Sequence, residues 1–439
     1  MDAKLERAIG LPFVLEKLEP NSPWGRDKKA KLRPFSPADA GALEDALDAV
    51  ADAQTLEAWR LTDILSRFRE IRTTLDRLKT GVLLEAELFE LKRFLLSATR
   101  LAEALDKQNA PARFCLPDMR AALDVLDPAG GRDPAFSAAQ ADEELLAILR
   151  QKTALTVGSP AYLALLDEEQ RALERALASL STQLRPLVGT FEQAIQVIGE
   201  LDFALAKARL AERYGGTRPT FGGDALVLIE FVNPALPDFY PLSFRFERGA
   251  TVLTGANMGG KSTALFAVAL NVQLALMGLY PFAQEAMMPH FTEICLIAGD
   301  ASASGLSEFG AQAARLVGAL ESARHGALIL IDELARGTNP EEGAAIAAAV
   351  AERLNTMPAV SVLTTHFRGV AERAKAHYRA KGHMPGGQNE AVDYAFHLVS
   401  GVLPPPQEAL AVCRAMGLPE EIVRRAKELV DRKNSKAVE

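Results

Sequence analysis

Cysteine is scarce in these 439 residues: Cys115, Cys295 and Cys413 are far apart, with no C-x-x-C spacing. That excludes a disulfide framework or a cysteine zinc site and predicts buried thiols in a reducing compartment. Aromatics are few, at 6%, while alanine and leucine abound, so helix should dominate. No run of 18 apolar residues occurs, and the first residues, Met1-Asp-Ala-Lys-Leu-Glu-Arg7, lack an apolar leader core. Membrane-spanning and secreted classes are therefore set aside, and a cytoplasmic protein is expected. Positive charge is also short: 49 Lys and Arg stand against 57 Asp and Glu, a net −8. Dedicated nucleic-acid binders draw affinity from neutralising phosphate, so an acidic total weighs against that class, although a local basic groove stays open.

The length suggests two or three domains. Residues 1 to about 215 read as almost pure helix. Leu5 to Leu18 should break at Gly10-Leu-Pro12, and Glu19 to Gly25 reads as a turn. Helices are predicted from Ser36 to about Thr55, Leu61 to Leu78, Glu85 to Leu105 and Glu143 to Thr153, with a break at Asp127 to Pro134. From Asp167 to about Arg213 the pattern is nearly continuous, kinked at Pro186. Its second half carries an apolar stripe (Ala194, Val197, Ile198, Leu201, Leu205, Ala208) that reads as core packing. Tyr214 to Gly223 is the best boundary. Beyond it, short β runs (226–232, 242–246, 251–254, 294–297, 328–331, 360–364) alternate with helices expected at 262–277, 308–322, 341–355 and 367–380. That alternation suggests a layered α/β domain with a mainly parallel sheet. A last strand at 394–399 and closing helices at 408–416 and 419–430 complete the chain.

Within the α/β half, Gly255-Ala256-Asn257-Met258-Gly259-Gly260-Lys261-Ser262-Thr263 contains G-x4-G-K-[ST] between an apolar run and a helical run. Glycines let backbone N–H groups turn inward around phosphate oxygens, and the following helix points its positive end there. Lys261 would reach the outer phosphates and the Ser262 hydroxyl a Mg²⁺ ion. A nucleoside triphosphate site is predicted. The apolar run Leu328 to Ile331 ends in Asp332-Glu333, which fits a strand delivering Asp332 to Mg²⁺ and Glu333 to an attacking water. His366, after the next apolar run, is placed to approach the γ-phosphate. The remaining histidines, His377 among them, show no pattern.

Several of these segments together resemble the ATPases of the MutS family. Thr254 to Thr263 resembles that family's phosphate loop, with Ala256 where proline is usual. The run Asp332-Glu-Leu-Ala-Arg-Gly-Thr-Asn-Pro-Glu-Glu-Gly343 is similar to its D-E-x-x-R-G-T segment. Ser304 to Phe309 resembles its signature loop, Thr365-His-Phe367 its T-H switch, and Gly417 to Ala426 its closing helices. Residues Ser22 to Gly25 and Glu200 to Ala208 carry a looser resemblance to its helical core and lever. The fold implied is an α/β P-loop NTPase, an ABC-type ATPase head (216–405), preceded by an all-α core and lever domain (1–215) and followed by a C-terminal helical dimerisation segment (406–439). ATP and Mg²⁺ are the implied cofactors.

The resemblance also implies a partner, either a second copy or a related subunit joined through the head. Ser307 would then contact the other subunit's γ-phosphate, with Thr338 and Asn339 near the interface. Phe239 or Tyr240 would stack on adenine. Glu308 departs from the family, which usually has threonine there. The chain has no room for the mismatch-reading and clamp domains of the longer members, and no small nuclease-like domain is expected. Two functions follow. One is a nucleotide-driven dimeric clamp on mismatched, branched or damaged DNA, as in mismatch repair. The other is a protein-remodelling ATPase, such as the MutS-like subunit of a cobalamin-dependent aminomutase reactivase, favoured by the acidic balance. A scaffold that hydrolyses little is a third reading, against which the intact Glu333 counts.

Overall fold

Residues 3–131, 135–140, 142–236, 239–255, 260–299, 306–335, 338–367, 369–380, 396–398 and 418–435 are the ones that the computed structural model describes. They divide into two units, Leu18–Arg33 with Asp45–Leu210, and Met1–Lys17 with Pro34–Glu44 and Ala211–Glu439. The boundary expected near residue 215 thus falls inside the helix Val188–Tyr214, and two N-terminal segments group with the α/β half. Polar anchors account for that grouping. The buried Asn233 donates to Ile9 O at 3.0 Å, and Phe35 N donates to Leu276 O at 2.8 Å.

The first unit is helical among its described residues. Its long helices are Glu85–Asp106, Pro160–Leu184 and Val188–Tyr214, and an aromatic cluster of Trp24, Phe68, Phe94 and Phe191 joins the first and third of them, with neighbouring ring centroids 5.5–5.8 Å apart. A 3₁₀ turn at Arg185–Leu187 separates the last two helices where Pro186 predicted a break. The predicted stripe is core: Ala194, Ile198, Leu201, Leu205 and Ala208 are buried, and Val197 is half-buried. Two expectations are corrected. The stretch 61–78 is two helices, Ala58–Ser66 and Arg72–Thr80, because Phe68 and Ile71 both turn into the core between them. Pro23 and Trp24 start the helix Pro23–Ala30 rather than a free turn, since Ser22 caps it by accepting from Gly25 N at 3.0 Å and proline suits the first helical position.

That cap is held by Asp202, which is fully buried. Its carboxylate accepts from Ser22 N and Ser22 Oγ, both at 2.7 Å, and from Asn21 N at 3.0 Å and Asn21 Nδ2 at 3.3 Å. The chain comes so close that a Cβ on Gly25 would meet Asp202 Oδ2 at 2.2 Å, so only glycine fits there.

In the second unit the strands are β1 (Thr220–Phe221), β2 (Leu226–Phe231), β3 (Leu242–Phe246), β4 (Gly249–Thr254), β5 (Glu285–Met288), β6 (Ile294–Ile297), β7 (Leu328–Asp332), β8 (Val360–Thr364), β9 (Ala376–Ala380) and β10 (Phe396–Leu398). One sheet has the order β10-β9-β4-β8-β7-β6, parallel except for β10, as expected of strand–helix alternation. A second sheet, β1-β5-β2-β3, was not foreseen, and β2 runs antiparallel to both its neighbours.

The helix Lys261–Leu276 packs against β2 of one sheet and β6, β7 and β8 of the other. It is buried nearly all round, which explains its lack of a polar face. The helices Leu306–Ala323 and Pro340–Asn355 join the parallel sheet in an aliphatic core that includes Val252, Ile329, Ile331, Ala347 and Leu354. Residues 376–380, expected in a helix, form β9, whose backbone pairs in parallel with the edge of β4. Cys115 is exposed and Cys295 half-buried, so the expected burial of the thiols is corrected for the first, while Cys413 lies outside the described residues. So does the helix expected at 408–416; the helix Glu420–Ser435 follows.

Replacing Asp202 leaves the buried Ser22 amide and hydroxyl without an acceptor, at a cost of about 2–4 kcal/mol. Asp202→Ala should lower the unfolding free energy of the helical unit by that amount, read as a lower denaturant midpoint at unchanged slope. An unchanged midpoint would show that the cap does not depend on this carboxylate.

Candidate functional site

Parallel strands end their backbone ladders at one edge, and the crevice beyond the carboxyl ends is where such sheets take ligands. Here β8 lies between β4 and β7, with Thr364 in register with both Leu253 and Asp332. The ends of three strands therefore lie side by side: Thr254-Gly255 ending β4, the acids ending β7, and Thr364-Thr-His366 ending β8.

Asp332 Oδ1 accepts from Ser262 Oγ at 2.9 Å and from Thr364 Oγ1 at 2.7 Å. Thr364 Oγ1 in turn accepts from Glu333 N at 3.0 Å. Lys261 is buried, 4% exposed, and its Nζ donates to Gly255 O at 2.9 Å. Gly255 and Gly260 bracket the loop at φ 144° and 73°, conformations that side chains resist. Gly260 precedes the helix Lys261–Leu276, and Ser262 and Thr263 occupy its first turn, half-buried. Ala256, Asn257, Met258 and Gly259 lie outside the described residues.

Glu333 is half-buried and its backbone is left-handed, φ 50°. His366 is exposed two residues beyond β8, its ring 4.3 Å from that of Phe367. Ser307 is the second residue of the helix Leu306–Ala323, and its side chain is outside the described ones. Asn339 caps the helix Pro340–Asn355 by accepting from Glu341 N at 2.9 Å. Phe239 is half-buried with its ring 6.3 Å from Phe231, whereas Tyr240 is 47% exposed. Thus Ser262, Asp332, Thr364 and the Glu333 backbone form one hydrogen-bonded cluster, with Lys261 next to Ser262 in the chain and bonded to Gly255 O, while Phe239 packs on an aromatic group beside β2 and β3.

Sequence reasoning gave no role to two residues here. Thr364 is the second hydroxyl on Asp332; its position at the end of an apolar run, level with the acids, was the available signal. His377, read as patternless, has Nε2 2.6 Å from Thr254 Oγ1, immediately before Gly255, and a buried Nδ1 with no hydrogen-bond partner. Burial, and then the nearby Arg379, push its pKa below the ordinary histidine value.

The parallel sheet, the glycine-bracketed helix start and the carboxylate shared by two hydroxyls define a mixed α/β protein with a polar cluster at its carboxyl edge, preceded by a helical part. Residues 251–433 match the family model MutS domain V. Three relatives named "Endonuclease MutS2" align with more of the chain. The Thermus thermophilus protein is 34% identical over 271 residues, 61% of this chain and 36% of its own length. The one from Thermomicrobium roseum is 32% identical over 297 residues (60% and 35%), and the one from Halalkalibacterium halodurans is 31% identical over 275 (60% and 34%). The chain spans about a third of the length of these curated relatives. Residues 251–433 therefore resemble domain V of MutS proteins. Among the described residues no helix is long and apolar enough to cross a membrane.

Because the folded state resists protonation of His377, the unfolded chain takes up that proton first as pH falls. The histidine's contribution to stability is therefore present above the ordinary value of about 6.5 and is lost as pH drops towards the depressed folded value. Thermal midpoints should fall between about pH 7 and 5, and His377→Gln should flatten that part of the profile. An equal slope in the variant would place the acid sensitivity elsewhere.

Proposed function

We propose that this protein binds and hydrolyses ATP with Mg²⁺ at the carboxyl edge of its parallel sheet. The observation that carries the reading is the sharing of Asp332 Oδ1 between the Ser262 and Thr364 hydroxyls. Hard oxygen donors of this kind suit Mg²⁺, which commonly takes one or two protein groups and completes its shell from water and substrate phosphate. Among the described residues no cluster of three or more His, Cys, Asp or Glu would hold a metal unaided, in keeping with a metal that arrives with its nucleotide.

In this reading Gly255 to Gly260 and Thr263 offer backbone and hydroxyl donors to the phosphates, and Lys261 leaves Gly255 O to neutralise the outer ones. Ser262 and Asp332 hold Mg²⁺, which when bound draws charge from the phosphate oxygens. Glu333 orients and polarises the attacking water, and His366 approaches the γ-phosphate from the end of β8. Phe239 or Tyr240 stacks on adenine. The head is of ABC type and works as a dimer, with Ser307 reaching the nucleotide of a second subunit and residues 406–439 supporting that association.

The load is DNA in this proposal, since the relatives over the matched region bear the name endonuclease. Nucleotide-driven closure of a dimer around mismatched, branched or damaged duplex is the corresponding mechanism. The net charge of −8 favours a second reading, remodelling of a protein client such as an aminomutase.

Glu333→Gln should retain ATP binding and lose turnover by about a hundredfold or more; undiminished turnover would remove its assigned role. Ser307→Ala should lower activity only under conditions where the chain self-associates, so equal loss in monomer would contradict a role in trans. Branched duplex should stimulate turnover at low salt and progressively less as salt rises. No stimulation and no DNA binding at low salt would leave the protein-client reading.

A further inference from the structure

Gln312, on the helix Leu306–Ala323, is 2% exposed. Its Oε1 accepts from Ala335 N at 3.2 Å, while its Nε2 has no hydrogen-bond partner. Keeping a primary amide buried with its donors unbonded is unfavourable. Leucine or methionine would fill such a place without that penalty, so the acceptor oxygen is the part of this side chain with a function.

The peptide it grips is unusual. Glu333 and Ala335 both have left-handed backbones, φ 50° and 63°. L residues avoid that region, and two within three positions persist only where their surroundings hold them. Polar contacts hold the turn, beside the burial of Leu334 and Ala335 in the aliphatic core. Thr364 Oγ1 accepts from Glu333 N at 3.0 Å, Gln312 Oε1 accepts from Ala335 N, and Ala335 O accepts from Thr338 Oγ1 at 2.8 Å and Thr338 N at 3.2 Å. The turn that aims Glu333 is thus pinned from β8 at one end and from the helix Leu306–Ala323 at the other. Only the first pin belongs to the Asp332 cluster.

We propose that Gln312 is a positioning residue for ATP hydrolysis: its amide oxygen fixes the strained turn Glu333–Ala335 and thereby the direction of the Glu333 carboxylate. The proposal rests on the reading of Glu333 as the group that polarises water. It also ties the helix whose first turn carries Ser307 to the acid of the same chain's own site.

The test is steady-state ATP turnover alongside equilibrium ATP binding in the full chain. Gln312→Met keeps length and packing but has no acceptor, and should lower kcat by about ten- to a hundredfold, as expected of a misaimed group, with nucleotide affinity within about twofold. Gln312→Glu restores an oxygen at the same reach and should recover most of kcat. In a Glu333→Gln background Gln312→Met should cause no further loss. Wild-type kcat in Gln312→Met, or an equal fall in both backgrounds, would overturn the proposal while leaving Glu333 in its role. Undiminished turnover in Glu333→Gln alone would remove the Glu333 reading and this proposal with it.

Discussion

One carboxylate oxygen, Asp332 Oδ1, accepts hydroxyls from two segments that lie 70 and 32 residues away in sequence. That convergence is possible only because β4, β8 and β7 are parallel and in register, so that all three end at one level. Shifting β7 by one residue would turn Asp332 to the other face of the sheet and put a neighbour in its place. The aliphatic core beneath the sheet, with Ala250, Ile329, Ile331 and Leu363 among its most buried members, is what sets that register. Core packing and site geometry are therefore one problem: the apolar runs fix the height at which polar side chains emerge.

The helical unit solves a different problem with similar means. Asp202 is wholly buried and four hydrogen bonds from Asn21 and Ser22 meet its carboxylate, so its charge is spent on fixing a helix start. Asp332 and Glu333 are only half-buried, and their hydrogen bonds engage hydroxyls and backbone at the edge of the sheet. A carboxylate that must exchange partners with a cation and water needs such an opening. The contrast separates anchoring carboxylates from those suited to exchange.

Much of this was legible in the sequence. G-x4-G-K-[ST] between an apolar run and a helical run, and Asp332-Glu333 after another, located the edge of the sheet, because strands and helix starts leave strong local signals. The strands β2, β3, β6, β7 and β8 fell close to their expected places. What escaped was set by contacts distant in sequence. The run 376–380 looks helical in isolation, yet it is drawn into β9 by the unpaired edge of β4. The second sheet depends on β5, a short Glu-Ala-Met-Met with no alternation to mark it. Ser22 capping Pro23–Ala30 required knowing that Asp202 lies 180 residues on. Gln312 and Thr364 act through backbone groups of the turn after β7, and pairings of that kind leave no periodic trace.

The account turns on the cluster around Asp332 being a site for a metal-bound triphosphate. Calorimetric titration of ATP into the purified chain, with Mg²⁺ and then with the metal chelated, tests this directly. The account predicts saturable binding that weakens by about tenfold or more without metal, and Asp332→Asn that binds equally weakly in both conditions. Binding of equal strength with and without Mg²⁺, or no binding at all, would contradict it.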